Sequence, residues 1–161
     1  MEAGELAVIT KAKDVCNYII TVTDKSPKKF RFTLIGRMQN YALDIIEGMI
    51  MANEVYVTEK GLGVNIEALK ERQKLQRNVL TNIKLLAYVS QLSMEQKCIL
   101  PKQYEQITEK LYTCQNLLGA WIKSDLKITS VYHTFLMCRY IGIWLHGSGC
   151  VLQTRAIATM R

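Results

Sequence analysis

Four stretches of this chain carry apolar residues at alternating intervals of four and three, and no other feature limits its fold as strongly. Val8, Ala12, Val15, Ile19 and Val22 keep to one face of a helix. Leu34, Met38, Tyr41, Ile45, Met49, Ala52 and Tyr56 repeat the pattern, with Asp44, Glu47 and Glu54 mostly outward. A third helix is expected from Asn65 to about Leu92, with Leu69, Gln76, Val79, Ile83 and Leu86 inward. A fourth starts near Pro101 and buries Tyr104, Ile107, Leu111, Cys114, Leu118 and Trp121. Breaks fall between these seams. The first helix should stop near Asp24, where Ser26 caps and Pro27 starts a new turn. "EKGLG" should end the second through a left-handed Gly61, and Ser93 to Gln96 has the spacing of a capping box in the loop before the fourth. Four amphipathic helices joined by short loops bury their stripes most simply as an all-α, antiparallel up-down-up-down four-helix bundle.

The bundle accounts for residues 1–127. The extension 128–161 is different in kind: it is rich in aromatic and β-branched residues and has no acid, since all 14 acidic residues precede Lys127. Its apolar run is broken by His133 and Arg139, a poor pattern for a membrane span. A fifth helix or strands packed on the bundle or on a neighbouring subunit is the expectation, with a poorly ordered end beyond Gly147. The net charge of +7 favours an anionic partner, nucleic acid or membrane surface. Five cysteines, Cys16, Cys98, Cys114, Cys138 and Cys150, form no Cys-x-x-Cys pair and follow no apolar signal peptide. They suggest a reducing, cytoplasmic setting, with Cys16 and Cys114 as small buried hydrophobes.

Reactive constellations are scarce. A di-iron bundle needs inward Glu-x-x-His pairs, and no histidine occurs before His133. His133, Cys138, His146 and Cys150 are zinc donors at intervals that match no standard pattern. Asp44 and Glu47 sit one turn apart on an outward face, where carboxylates are usually solvated. No glycine-rich phosphate loop is present, and "GLG" reads as a helix stop. The expectation is a protein that is not an enzyme and carries no metal or other cofactor.

Two basic features remain. "KSPKKFRF" sets Lys25, Lys28, Lys29 and Arg31 beside Phe30 and Phe32, a mixture that suits phosphates and unstacked bases, or else a solvated loop with its rings in the core. On the third helix Lys70, Lys74, Arg77 and Lys84 advance by four, three and seven, one narrow stripe opposite the apolar seam. It is either a polyanion surface or a solvated face. Arg72 falls on the seam side with Gln76, so it pairs with an acid or sits in a bundle-end or subunit contact. In "NLLGAWIKS" the seam turns Leu118 and Trp121 inward with Gly119 and Ala120 beside them. That small pair admits either close packing inside one bundle or a neighbouring helix or subunit.

Two stretches together resemble a known bacterial family. "KKFRFTLIGRMQNYALDIIEGMIMA" is similar to the second-helix region of the four-helix-bundle proteins that include the accessory variability determinant (Avd) of diversity-generating retroelements and the ribosomal-RNA intervening-sequence proteins. "LLGAWIKS" resembles the Leu-Gly-Gly/Ser-Trp-Ile signature of the Avd branch, with Ala120 in place of the second small residue. The resemblance runs from about Lys11 to Lys127 and leaves the 34 residues after it without a counterpart. It implies a non-enzymatic subunit that forms a homopentameric ring and engages a reverse transcriptase and its template-repeat RNA, with the cDNA copy as a further candidate. Such a subunit supports adenine-directed mutagenic retrohoming. On matching positions it carries over Lys28, Lys29, Arg31 and Arg37 at the entry of the second helix, and Arg72, Lys74, Arg77 and Lys84 on the third, as residues that bind nucleic acid or polymerase. Gly119, Ala120 and Trp121 are its structural motif. The sister branch implies instead a four-helix RNA- or ribosome-associated protein.

Overall fold

The seams close on one another as expected in the computed structural model, which describes residues 7–59 and 63–140, with side chains described for 7–57 and 64–127. The helices are α1 (Ala7–Thr23), α2 (Gly36–Glu54), α3 (Ile66–Glu95) and α4 (Pro101–Tyr140). The result is an all-α four-helix bundle. A 3-10 turn at Lys28–Phe30 and a π turn at Arg31–Ile35 lead into α2. Between α2 and α3 two short strands, β1 (Thr58–Glu59) and β2 (Gly63–Val64), pair antiparallel, with Thr58 opposite Val64. The chain divides into one compact unit over Met1–Thr129 and another over Ser130–Arg161.

The core lies in the first unit and draws on every helix. Ala12, Val15 and Ile19 of α1 meet Met38, Ile45 and Met49 of α2, Val79, Ile83 and Leu86 of α3, and Ile107, Leu111, Cys114 and Leu118 of α4 in one buried cluster. Each large aliphatic side chain buried this way stabilises the fold by about 1.5–3 kcal/mol relative to its exposed form. Polar contacts set the ends. The Thr23 hydroxyl, in the last turn of α1, donates to the Ile19 carbonyl at 2.7 Å and accepts from Gln39 Nε2 at 2.9 Å, tying α1 to α2. Asn65 caps α3 by accepting the Ala68 N–H at 3.0 Å.

Several local expectations are corrected. Ser26 does not cap, because its hydroxyl instead donates to the Cys98 carbonyl at 2.9 Å and joins the α1–α2 connection to the α3–α4 connection. Helix α2 stops at Glu54, where Val55 turns extended and the chain enters the β ribbon, so Gly61 is not what ends it, and residues 60–62 lie outside the described ones. Tyr56 therefore leaves the seam and is 86% exposed. Ser93 lies inside α3, donating to the Val89 carbonyl, and opens no capping box. The helix ends instead with Lys97 at φ 57°, its N–H bonded to Met94 and that of Cys98 to Ser93. That paired closure is a Schellman motif, usually made with glycine. Beyond Lys127 the described residues continue α4 to Tyr140 without a separate element. After Gly119 neither proline nor glycine interrupts the chain before Gly142. Residues 141–161, including the end beyond Gly147, lie outside the described ones.

Helix α2 packs most extensively on α3, and Gly48 explains how. A Cβ placed there would lie 2.6 Å from Val79 Cγ2, too close for any real contact. The two helices therefore approach through a missing side chain. Gly48→Ala gains helix propensity but must displace the buried Val79 side chain or α3 with it, and a net loss of about 1–3 kcal/mol in denaturant unfolding is expected.

Candidate nucleic-acid interface

The basic residues singled out in the sequence are distributed as two exposed groups and one partly buried member. Lys28, Lys29, Arg31 and Arg37 are exposed around the turns that enter α2. Lys70, Lys74, Arg77 and Lys84 are exposed along α3. Antiparallel pairing orders the two groups along the bundle: Val55 meets Arg72 and Gly48 meets Val79, so Lys84 is level with the first half of α2. The entry of α2 lies further toward the same end, where the π turn packs on α3.

Electrostatics sharpen the α3 group. Lys70 is paired with Glu67 one turn earlier at 2.8 Å, an exposed bond of small energetic weight. No ion pair joins Lys74, Arg77 or Lys84 to an acid among the described residues. From Lys74 to Lys84 the helix rises about 15 Å, so three uncompensated cations mark a line on one face. At the α2 entry, Lys29 Nζ sits 4.5 Å from the centre of the Phe30 ring, which packs against the core. Phe32 turns outward.

Arg72 has a different place. Its side chain is 16% exposed and bonds Asp125 Oδ1 at 3.4 Å, while Asp125 is 4% exposed. Its Nη2 donates to the Val55 carbonyl, and the guanidinium lies 5.8 Å from the centre of the Trp121 ring. Gln76 Nε2 donates to the other Asp125 oxygen at 2.7 Å. Of the alternatives read from the sequence, pairing with an acid is observed, and the arginine ties the end of α2, the start of α3 and α4 together. Asp125 escaped the sequence reading, although a signal was there: it follows buried Leu118 by seven residues, which puts a carboxylate on the apolar seam of α4.

The Gly119-Ala120-Trp121 segment is divided in the same way. Trp121 packs on the core from its edge and seats Arg72. A Cβ on Gly119 would meet nothing within 4 Å. Close packing inside one bundle is therefore not what the glycine provides. Ala120 is exposed beside it.

The described residues offer little for chemistry. They contain no group of three His, Cys, Asp or Glu side chains placed to hold a metal. The side chains of His133, Cys138, His146 and Cys150 lie outside the described ones. Asp44 and Glu47 are exposed. Burial raises the thiols of Cys16 and Cys98, though Lys29 partly opposes it at Cys98, and pushes Cys114 up to about 11. A cleft of about 460 Å³ between α1 and α4 is lined by Lys11, Asp14, Tyr18, Gln106, Glu109 and Lys110 and bridged by the Tyr18 hydroxyl, which donates to Gln106. No described helix is long and apolar enough to cross a membrane. No protein-family model matches the sequence, and no curated protein matches it.

Two outcomes follow. Asp125→Ala leaves a guanidinium without its carboxylate in a poorly hydrated site and should cost about 3 kcal/mol in denaturant unfolding, whereas Asp125→Leu combined with Arg72→Met should recover much of it. Cys114 favours the folded state as a neutral thiol, so its contribution is complete below the ordinary thiol value of 9.0 and declines as pH rises toward about 11. Alkylation at pH 8 should accordingly spare Cys114 in the native protein and modify it in denaturant, read by mass spectrometry.

Proposed function

We propose that this chain is a non-enzymatic accessory subunit of a diversity-generating retroelement, which binds the reverse transcriptase and the template-repeat RNA, or its cDNA, and supports mutagenic retrohoming. What carries this reading is the line of uncompensated cations Lys74, Arg77 and Lys84 on the exposed face of α3, on a four-helix bundle of the kind the resemblance calls for. The second group, Lys28, Lys29, Arg31 and Arg37, extends the positive surface toward one end. A phosphate backbone neutralised along such a line releases counterions, and that release drives binding without sequence selectivity. Arg72 enters this reading as a support for the α3 surface, since its guanidinium is occupied by Asp125 and Val55.

Self-association into a homopentamer belongs to the same proposal. The open space at Gly119, beside exposed Ala120, supports it, because nothing among the described residues fills the gap. A cytoplasmic location is the natural one for a partner of RNA and polymerase, and three buried, unbridged cysteines agree with it.

The decisive measurement is co-purification of the full chain with a reverse transcriptase encoded beside it, together with salt-dependent binding to structured RNA. A monomer in light scattering that binds neither would end the proposal. A ring that binds RNA or ribosomes but no polymerase would move the chain to the intervening-sequence branch. Lys74→Glu with Arg77→Glu should leave circular dichroism and melting near wild type, because exposed charges contribute little to stability. The same pair should weaken RNA binding and reduce the slope of log affinity against log salt by about 2.

A further inference from the structure

We propose that Phe32 is a stacking platform for an unpaired base, and that the entry of α2 thereby prefers single-stranded nucleic acid to duplex. The inference rests on the nucleic-acid part of the proposed function and adds a selectivity that charge alone does not supply. Phe30 and Phe32 lie two residues apart and have opposite fates. Phe30 packs on the core beneath Lys29. Phe32 is 93% exposed.

The backbone holds that ring outward. Arg31–Ile35 forms a π turn, closed by the Gly36 N–H bonding to the Arg31 carbonyl. Turns of this kind are rare and recur at functional sites. Gly36 permits it, since a Cβ there would lie 3.2 Å from the Arg31 oxygen. Ile35 is buried and Leu34 packs against the core, so the turn is anchored immediately after Phe32. An exposed phenyl contributes no burial energy to the fold. It is a flat apolar surface carried on an anchored backbone.

Its surroundings select the partner. Lys28, Lys29, Arg31 and Arg37 are all exposed, and no acid occurs from Lys25 to Arg37. Cations beside a free ring match a single strand, whose phosphates meet the charges while one base stacks on the phenyl face. Every base has such a face, so the contact carries no sequence preference. Bases of a duplex are already stacked and gain only the phosphate contacts. A lipid surface is the poorer match, because interfacial binding scales with buried apolar area and one ring supplies little.

The test uses the full chain, a fluorescein-labelled single-stranded oligouridine of about 12 nucleotides and a blunt RNA duplex of the same length. Phe32→Ala should weaken single-strand binding by roughly 5- to 100-fold, with duplex affinity, salt slope and circular dichroism unchanged. Phe32→Trp should restore single-strand binding, whereas Lys28→Ala with Arg31→Ala should weaken both ligands and lower the salt slope. Wild-type single-strand affinity in Phe32→Ala, or equal loss of both ligands, would overturn the proposal. So would loss of binding to phosphatidylglycerol vesicles or to the co-purifying reverse transcriptase with oligouridine binding intact, since the ring would then serve a lipid or a protein. If wild-type protein binds neither RNA, the nucleic-acid part of the function fails as well. If it binds RNA and Phe32→Ala binds oligouridine equally well, the stacking role alone fails.

Discussion

The approach of α2 to α3 at Gly48 is the contact on which the rest of the bundle is arranged. A hydrogen where every other residue carries a carbon lets Val79 reach the backbone of α2. With α2 seated this closely, Val79, Ile83 and Leu86 reach the same core as Met38, Ile45 and Met49. Helical periodicity then does the rest. Turning those three side chains inward carries Lys74, Arg77 and Lys84 to the far side, where water or an anion must accept them.

A second constraint acts at the other end of that contact. Arg72 and Asp125 place opposite charges inside the bundle, and such a pair owes little net stability to Coulomb attraction once desolvation is counted. Its value is directional. A guanidinium that must reach a carboxylate on α4 and a carbonyl at Val55 permits one register of three segments, while apolar seams alone tolerate sliding by a turn. Trp121 beneath the guanidinium closes the arrangement, so the tryptophan of the Gly-Ala-Trp segment serves α3 as much as α4. One residue type thus does two jobs in a single helix: Arg77 is exposed, and Arg72, five residues earlier, is a tether.

The surface also separates by sign along the chain. Acids other than Asp125 are spread over the outer faces of the four helices, yet both basic groups lie where acids are thin or absent: Lys25–Arg37 has none, and among the described residues the only acid bonded to the α3 stripe is Glu67 at its start. Charges placed so repel one another modestly in water and are more readily matched by an extended polyanion than by scattered counterions. Around the α2 entry the same electrostatics surround an exposed ring, which makes that segment chemically distinct from the all-cation line on α3.

Sequence alone determined the four helices, most of their buried faces, the outward line of Lys70, Lys74, Arg77 and Lys84, and the start of the third helix near Asn65, because periodicity is a local property of the chain. It also marked Arg72 as out of place on an apolar face. Tertiary structure decided the partner of Arg72, since Asp125 is 53 residues away and only packing joins them. It decided that Gly48 is the close-approach glycine and Gly119 is open, a difference invisible in two residues of the same type. It separated Phe30 from Phe32, because which ring turns inward depends on how a π turn docks on α2 and α3. It ended α2 at Glu54 and α3 at Glu95, where a ribbon and a Schellman closure through Lys97, each relying on bonds between residues that no periodicity pairs, override the glycine and capping-box signals read from the chain.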